Sequence, residues 1–89
     1  MKISNRRSNI QIIADMLRLG EVGKTEIMYS ANMSYFQLQR YLKFLLKLKL
    51  IDKVALGNPS ASYRVTKKGF RLLKNIDSIQ HVLESADED

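Results

Sequence analysis

Residues 25–49 read TEIMYSANMSYFQLQRYLKFLLKLK. The stretch contains two helical patterns a few residues apart. In the first, Thr25 to Ala31, the side chains of Ile27, Met28 and Ala31 fall on one side at helical spacing. Asn32 then supplies turn chemistry, because asparagine tolerates positive φ. Ser34 followed by Gln37 has the spacing of a capping box, which satisfies orphan backbone N–H groups at a helix start. The second helix is predicted from about Tyr35 to Lys49. At ~100° per residue, one face collects Leu38, Tyr41, Leu42, Leu45 and Leu48 and is predicted to be core. The opposite face collects Phe36, Arg40, Lys43 and Lys47, with Gln37, Gln39 and Phe44 on its flanks. It holds three cations and no acid. A solvated helix usually mixes signs, for solubility and i,i+4 pairing. A face of one sign implies a polyanion lying against it.

Upstream, Ser8 and Gln11 make another capping box. Ile10, Ile13 and Leu17, with Ala14 beside them, predict a helix over about 9–19, ended by Gly20. Val22-Gly23-Lys24 is expected to be a short linker. Downstream, residues 50–56 read as a strand, Gly57-Asn58-Pro59-Ser60 as a turn, and Ser62-Tyr63-Arg64-Val65 as the return strand. Pro59, Ser60, Ala61 and Ser62 fit a mobile tip. Thr66 is expected to cap a last helix from about Lys67 to Glu84, with Phe70 and Leu73 reaching back to the core. In that helix Leu72, Ile76, Ile79 and Leu83 follow a 4-3-4 spacing, the a/d seam of a coiled coil. Packing on the same subunit's core is the other use of that stripe. The fold class is therefore mainly α with a small β-hairpin: a helix-turn-helix, then a wing, then a C-terminal helix. The expected organisation is a body over 1–74, a last helix over 67–84 that can join two copies, and a disordered acidic tail over 85–89.

Composition narrows the function classes. With 89 residues there is one domain. There is no cysteine and one histidine, His81, so disulfides and zinc fingers are excluded. His81 is expected to be a surface residue of the last helix. No stretch reaches the ~20 apolar residues of a membrane span. Residues 1–7 carry charge with no apolar run behind it, which argues against a signal peptide. A soluble, cytoplasmic protein is expected. Net charge is +6, unevenly spread. Residues 1–74 hold all fifteen Lys and Arg against four acids, or +11; the last fifteen residues hold five acids and no base, or −5. Such a body attracts polyanions, nucleic acid first. No catalytic constellation is present, and no cofactor, metal or small-molecule substrate is implied. Gly20-Glu21-Val22-Gly23-Lys24-Thr25 superficially resembles a phosphate-binding loop. Its glycines are too close together for that motif, and no hydrophobic strand precedes it.

The run Lys24 to Tyr35 resembles the helix-turn-helix signature of small archaeal winged-helix proteins, the 10a-type chromatin proteins and related one-domain transcription regulators. The resemblance continues through Leu38, Arg40-Tyr41-Leu42 and Leu45 to Leu50-Ile51, and resumes at Tyr63-Arg64-Val65-Thr66-Lys67-Lys68-Gly69. It covers roughly residues 8–74. It implies a winged helix, double-stranded DNA binding, and a homodimer joined by an antiparallel coiled coil of the last helices. The last helix departs from the family in being short and ending in acids.

Helix-turn-helix proteins set the N-terminal half of the motif's second helix against base edges in the major groove. Here that half holds Ser34, Tyr35, Phe36, Gln37, Gln39, Arg40 and Lys43. Arg40 is the first candidate, since its guanidinium can bond guanine O6 and N7 in parallel. Gln37 and Gln39 can read adenine, although Gln37 can equally be held in the capping box. Phe36 can meet a thymine methyl or pack on the preceding helix. Core packing is the expected role of Tyr35 and Tyr41. Lys43 and Lys47 suit phosphates. Lys53 and Arg64 on the wing can reach the adjacent backbone or minor groove, and Arg6 and Arg7 can meet phosphate or water. Lys67, Lys68, Arg71 and Lys74 are expected to form a solvated basic face. The competing reading is a protein-interaction module whose basic face docks an acidic partner.

Overall fold

The computed structural model describes residues 8–55 and 61–87. The elements run α1 (Asn9–Arg18), β1 (Val22–Gly23), α2 (Lys24–Ser30), α3 (Tyr35–Lys47), β2 (Ile51–Ala55), β3 (Ala61–Val65) and α4 (Lys67–Asp87). Both capping boxes form. Ser8 Oγ accepts from the Gln11 N–H while Gln11 Oε1 accepts from the Ser8 N–H, and Ser34 and Gln37 repeat the pattern. Gly20 (φ 79) follows α1, and Asn32 (φ 51) makes the turn between α2 and α3, as their residue types require.

The supposed linker at Val22-Gly23 is a strand. It pairs antiparallel with β3, which also pairs with β2, giving a three-stranded sheet in the order β1-β3-β2. Two residues are too few for an alternating pattern to show in sequence. Ala61, assigned to the wing tip, instead lies in β3 opposite Ala55, and Ser62 starts the expected return strand opposite Val54. The expected turn at 57–60, including Pro59 and Ser60, lies outside the described residues.

Leu17, Leu38 and Leu45 are fully buried at the centre. Around them pack Ile12 and Met16 of α1, Ile27 of α2, Leu42 of α3, and Ile51, Tyr63 and Val65 of the sheet. Besides Tyr35, described below, three expected core residues are exposed. Ile10 is exposed in the first turn of α1, where Ile12 and Met16 take the inward positions. Leu48 is exposed because α3 ends at Lys47 and the chain leaves the helical face there. Phe70 is exposed because the inward stripe of α4 is Gly69, Leu72, Leu73 and Ile76.

The exit from α3 holds the body together. Leu50 N–H reaches Leu45 C=O at 2.9 Å and Lys49 N–H reaches Leu46 C=O at 3.0 Å, the pair of bonds that closes a helix through a left-handed residue. That residue is Lys49, at φ 60. Next to it, Thr66 Oγ1 donates to Lys49 C=O at 2.8 Å and accepts from Gly69 N–H at 3.1 Å, so it caps α4 and ties it to α3. Lys68 Nζ donates to Leu48 C=O at 2.9 Å, while Lys68 stays on the exposed face expected for it. A side chain in the left-handed region costs about 1–2 kcal/mol, partly offset because it restricts the unfolded chain. Lys49→Gly should therefore raise unfolding free energy by about 0.5–1 kcal/mol in chemical denaturation. A loss of stability would show that the Lys49 side chain makes a compensating contact.

α4 packs on α1. Ala14 and Ile76 are buried outside the main cluster, and both carboxylate oxygens of Asp77 lie 3.1 Å from Arg18 Nη1. At about half exposure that bridge is worth no more than ~1 kcal/mol. α4 continues past this contact to Asp87, beyond the expected end at Glu84. Residues 85–87 of the expected disordered tail are thus helical; 88 and 89 lie outside the described residues. A helix of 21 residues is ~31 Å long, and the molecule is 53 Å in its longest dimension. Ile79, Val82 and Leu83 on the outer half of α4 are exposed. So is His81, as expected.

Candidate nucleic-acid interface

The turn Ala31-Asn32-Met33-Ser34 sets α3 across α2. Ala31 and Met33 are buried in it, and Met33 N–H donates to Met28 C=O at 3.0 Å. The turn is anchored to the core from both sides, so the start of α3 has a defined position. Leu38, Leu42 and Leu45 then fix its rotation about its own axis by burial.

With rotation fixed, Phe36, Arg40, Lys43 and Lys47 all point to solvent along one face. Among the described residues no carboxylate lies within ion-pairing distance of Arg40, Lys43 or Lys47; the single bridge is Arg18 to Asp77. Among the described residues nothing compensates the three charges. Their positions i, i+3 and i+7 run along about two turns of helix.

The polar residues flanking them are more committed. Gln37 is held by its capping-box bond through Oε1. Gln39 is half-buried, and its Nε2 donates to the Tyr35 hydroxyl. Tyr35 is 60% exposed, so the expectation of core packing is wrong for it: it is the first residue of α3, ahead of the buried stripe. Tyr41 is half-buried against the core as expected, with its hydroxyl donating to Asn9 Oδ1 at 2.6 Å. Phe36 is 72% exposed and does not pack into the core. Ser34 is exposed, with its hydroxyl engaged as the cap.

Tyr29, at the end of α2, was missed in the sequence and is 76% exposed. Its signal was present: with Ile27 and Ala31 inward, position 29 must point outward. Tyr29, Tyr35 and Phe36 flank the helix-helix turn with three exposed rings.

The two wing cations do not share a face. Arg64 stands opposite Asp52 in the β2–β3 register, and Lys53 stands opposite Tyr63. Neighbours along a strand point to opposite sides, so Arg64 shares its side with a carboxylate and Lys53 lies on the other. Lys67, Arg71 and Lys74 are exposed on α4. Arg6 and Arg7 lie outside the described residues. The four residues of the coiled-coil seam are also divided. Leu72 packs on the core and Ile76 is buried, whereas Ile79 and Leu83 are exposed.

This order of helices, turn and sheet, with the long helix last, matches the family model described as winged helix-turn-helix, over residues 6–84. The chain belongs to the winged helix-turn-helix family. Among solved winged helices it is similar to Sso10a-2, a DNA-binding protein from Sulfolobus solfataricus, with TM-score 0.78 and 31% identity over 92% of this chain and 90% of that one. It also shares the fold of the MarR family transcriptional regulator SPO1453 from Silicibacter pomeroyi, with TM-score 0.67 and 16% identity over 86% of this chain and 55% of that one. A ZitR mutant of Lactococcus lactis, solved in complex with DNA, matches with TM-score 0.69 and 18% identity over 96% of this chain and 61% of that one. No curated protein matches the sequence. Among the described residues, no helix of this winged helix is long and apolar enough to cross a membrane.

Proposed function

We propose that the protein binds double-stranded DNA by laying α3 in the major groove, as an archaeal transcription regulator or an architectural chromatin protein. The observation that carries this is the exposed row Arg40, Lys43 and Lys47, unpaired among the described residues, on the second helix of a helix-turn-helix. Arg40 reads or clamps the groove, and Phe36 faces the bases one turn earlier. Lys43 and Lys47 neutralise phosphates. Ser34 and Gln37 hold the helix start, while Tyr35 and Gln39 form a bonded pair beside it. Similarity to a DNA-binding protein over most of both chains supports the reading. Titration of a duplex at several salt concentrations tests it. Counterion release predicts a log–log slope of about −0.9 per phosphate neutralised. Absence of binding at low salt removes the proposal and leaves docking of an acidic protein in its place. Selection of bound sequences from random duplexes then separates the two roles: a single motif marks a regulator, uniform recovery an architectural protein.

A second copy completes the assembly. Leu72 and Ile76 are used within the chain, so the free part of the seam is Ile79 and Leu83, with Val82 beside them. Pairing of the outer halves of two α4 helices covers these side chains. It also sets two α3 helices on one duplex, which a single recognition helix cannot do. Light scattering should give the dimer mass for the wild type and the monomer mass for Ile79→Glu/Leu83→Glu, with helix content retained. A wild type of monomer mass at working concentration rejects the pairing.

A further inference from the structure

Between the start of α1 and the outer edge of α3 lies a groove of about 670 Å³. Its floor is apolar: Ile12, Ile13 and Phe44. Its polar rim is Asn9, Gln37, Arg40 and Tyr41. Three of the four rim residues already make a hydrogen bond within the chain. Tyr41 donates to Asn9, and Gln37 is in its capping box. The Arg40 guanidinium has no carboxylate partner among the described residues, and no acid lines the groove. An apolar floor, a volume within the range of small-molecule sites, and a single free charge describe a ligand with an apolar body and one anionic end. A carboxylate suits that end, because it meets guanidinium in two parallel hydrogen bonds. A basic peptide meets Arg40 with the wrong sign.

We infer that this groove binds a small organic carboxylate, its apolar body on Ile13 and Phe44 and its carboxylate on Arg40, and that binding competes with DNA. The competition follows from one side chain serving both partners. A guanidinium folded over the groove to hold a carboxylate is withdrawn from the DNA-facing side of α3. Coupling of this kind is reciprocal, so DNA weakens the carboxylate by the factor by which the carboxylate weakens DNA. The competition rests on the DNA reading above; binding to the groove does not.

The test is therefore made first without DNA. The full-length protein, isotopically labelled, is titrated with sodium benzoate and, separately, with uncharged benzamide at constant ionic strength. Benzoate should give saturable shifts of the Asn9, Ile13, Arg40 and Phe44 amides, with Kd near ~1 mM, as expected for so small a probe. Benzamide should bind at least about tenfold more weakly, and Arg40→Gln should cost benzoate about tenfold, the effect of one charge-assisted pair. Phe44→Ala should weaken benzoate severalfold. Shifts that rise linearly without saturating overturn the inference. Shifts centred elsewhere, equal binding of benzamide, or unaltered binding to Arg40→Gln overturn it as well. In the second stage, saturating benzoate should raise the apparent Kd for duplex in the wild type and much less in Phe44→Ala. If benzoate fills the groove but no duplex binds, the DNA reading fails and the ligand site stands. If both bind without competing, the shared role of Arg40 is wrong.

Discussion

Arg40→Ala is expected to weaken duplex binding about ten- to a hundredfold, with the thermal midpoint unchanged. The size follows from the ~1–3 kcal/mol that a bidentate arginine contributes at a base edge. The unchanged midpoint follows from position: Arg40 is exposed and has no carboxylate partner among the described residues. Surface substitutions of that kind usually change stability by no more than ~0.5 kcal/mol. Lys43→Ala and Lys47→Ala should behave differently. Each removes a phosphate contact, so each should lower affinity alike for all sequences and flatten the salt dependence by a slope of about 0.9. Fluorescence anisotropy at several salt concentrations reads both effects, and circular dichroism confirms the fold. Wild-type affinity in a folded Arg40→Ala protein would mean that another face meets the DNA.

Gly69→Ala should be among the most destabilising single-methyl changes available in this chain. A Cβ at Gly69 would run into Leu50 C=O and stand 2.7 Å from Val65 Cγ1. Neither neighbour can yield readily. Leu50 C=O accepts the Thr66 N–H at 3.1 Å, at the junction that ties α3 to α4, and Val65 is buried at the end of β3. Alanine gains about 1 kcal/mol over glycine in helix propensity. A clash of this depth costs about 3 kcal/mol or more, so the clash wins. The net loss should lower the melting temperature by on the order of 10 °C. A melt of Gly69→Ala at the wild-type temperature would show that α4 does not pack this closely on the α3–β2 corner.

These two residues differ in how far the sequence revealed them. Arg40 was legible because helical period alone puts it opposite Leu38, Leu42 and Leu45. Gly69 was legible only as part of a family-like motif, because a close approach between segments nineteen residues apart leaves no local pattern. The same division runs through the rest of the chain. The capping boxes at Ser8 and Ser34, the turn at Asn32 and the helix end at Gly20 depend on neighbours within a few residues, and they form as read. The strand at Val22-Gly23 depends on β3, forty residues away, and was read as a linker. Tyr35 and Phe70 were misplaced for a related reason: an aromatic residue near a helix start is apolar in type, yet lies beyond the edge of the buried stripe.

By itself the sequence determined the order of elements apart from β1, the inward positions of Leu38, Leu42 and Leu45 in α3, and the row of cations opposite them. Helical period and capping are local properties of the chain. Only the tertiary structure decided how the a/d stripe of α4 is divided, with Leu72 and Ile76 covered within the chain and Ile79 and Leu83 left open. It alone decided, too, that Arg40 borders both the outer face of α3 and the groove against α1. Spacing sets which residues share a face. What that face meets depends on where distant segments pack, and that is settled by burial across the whole fold.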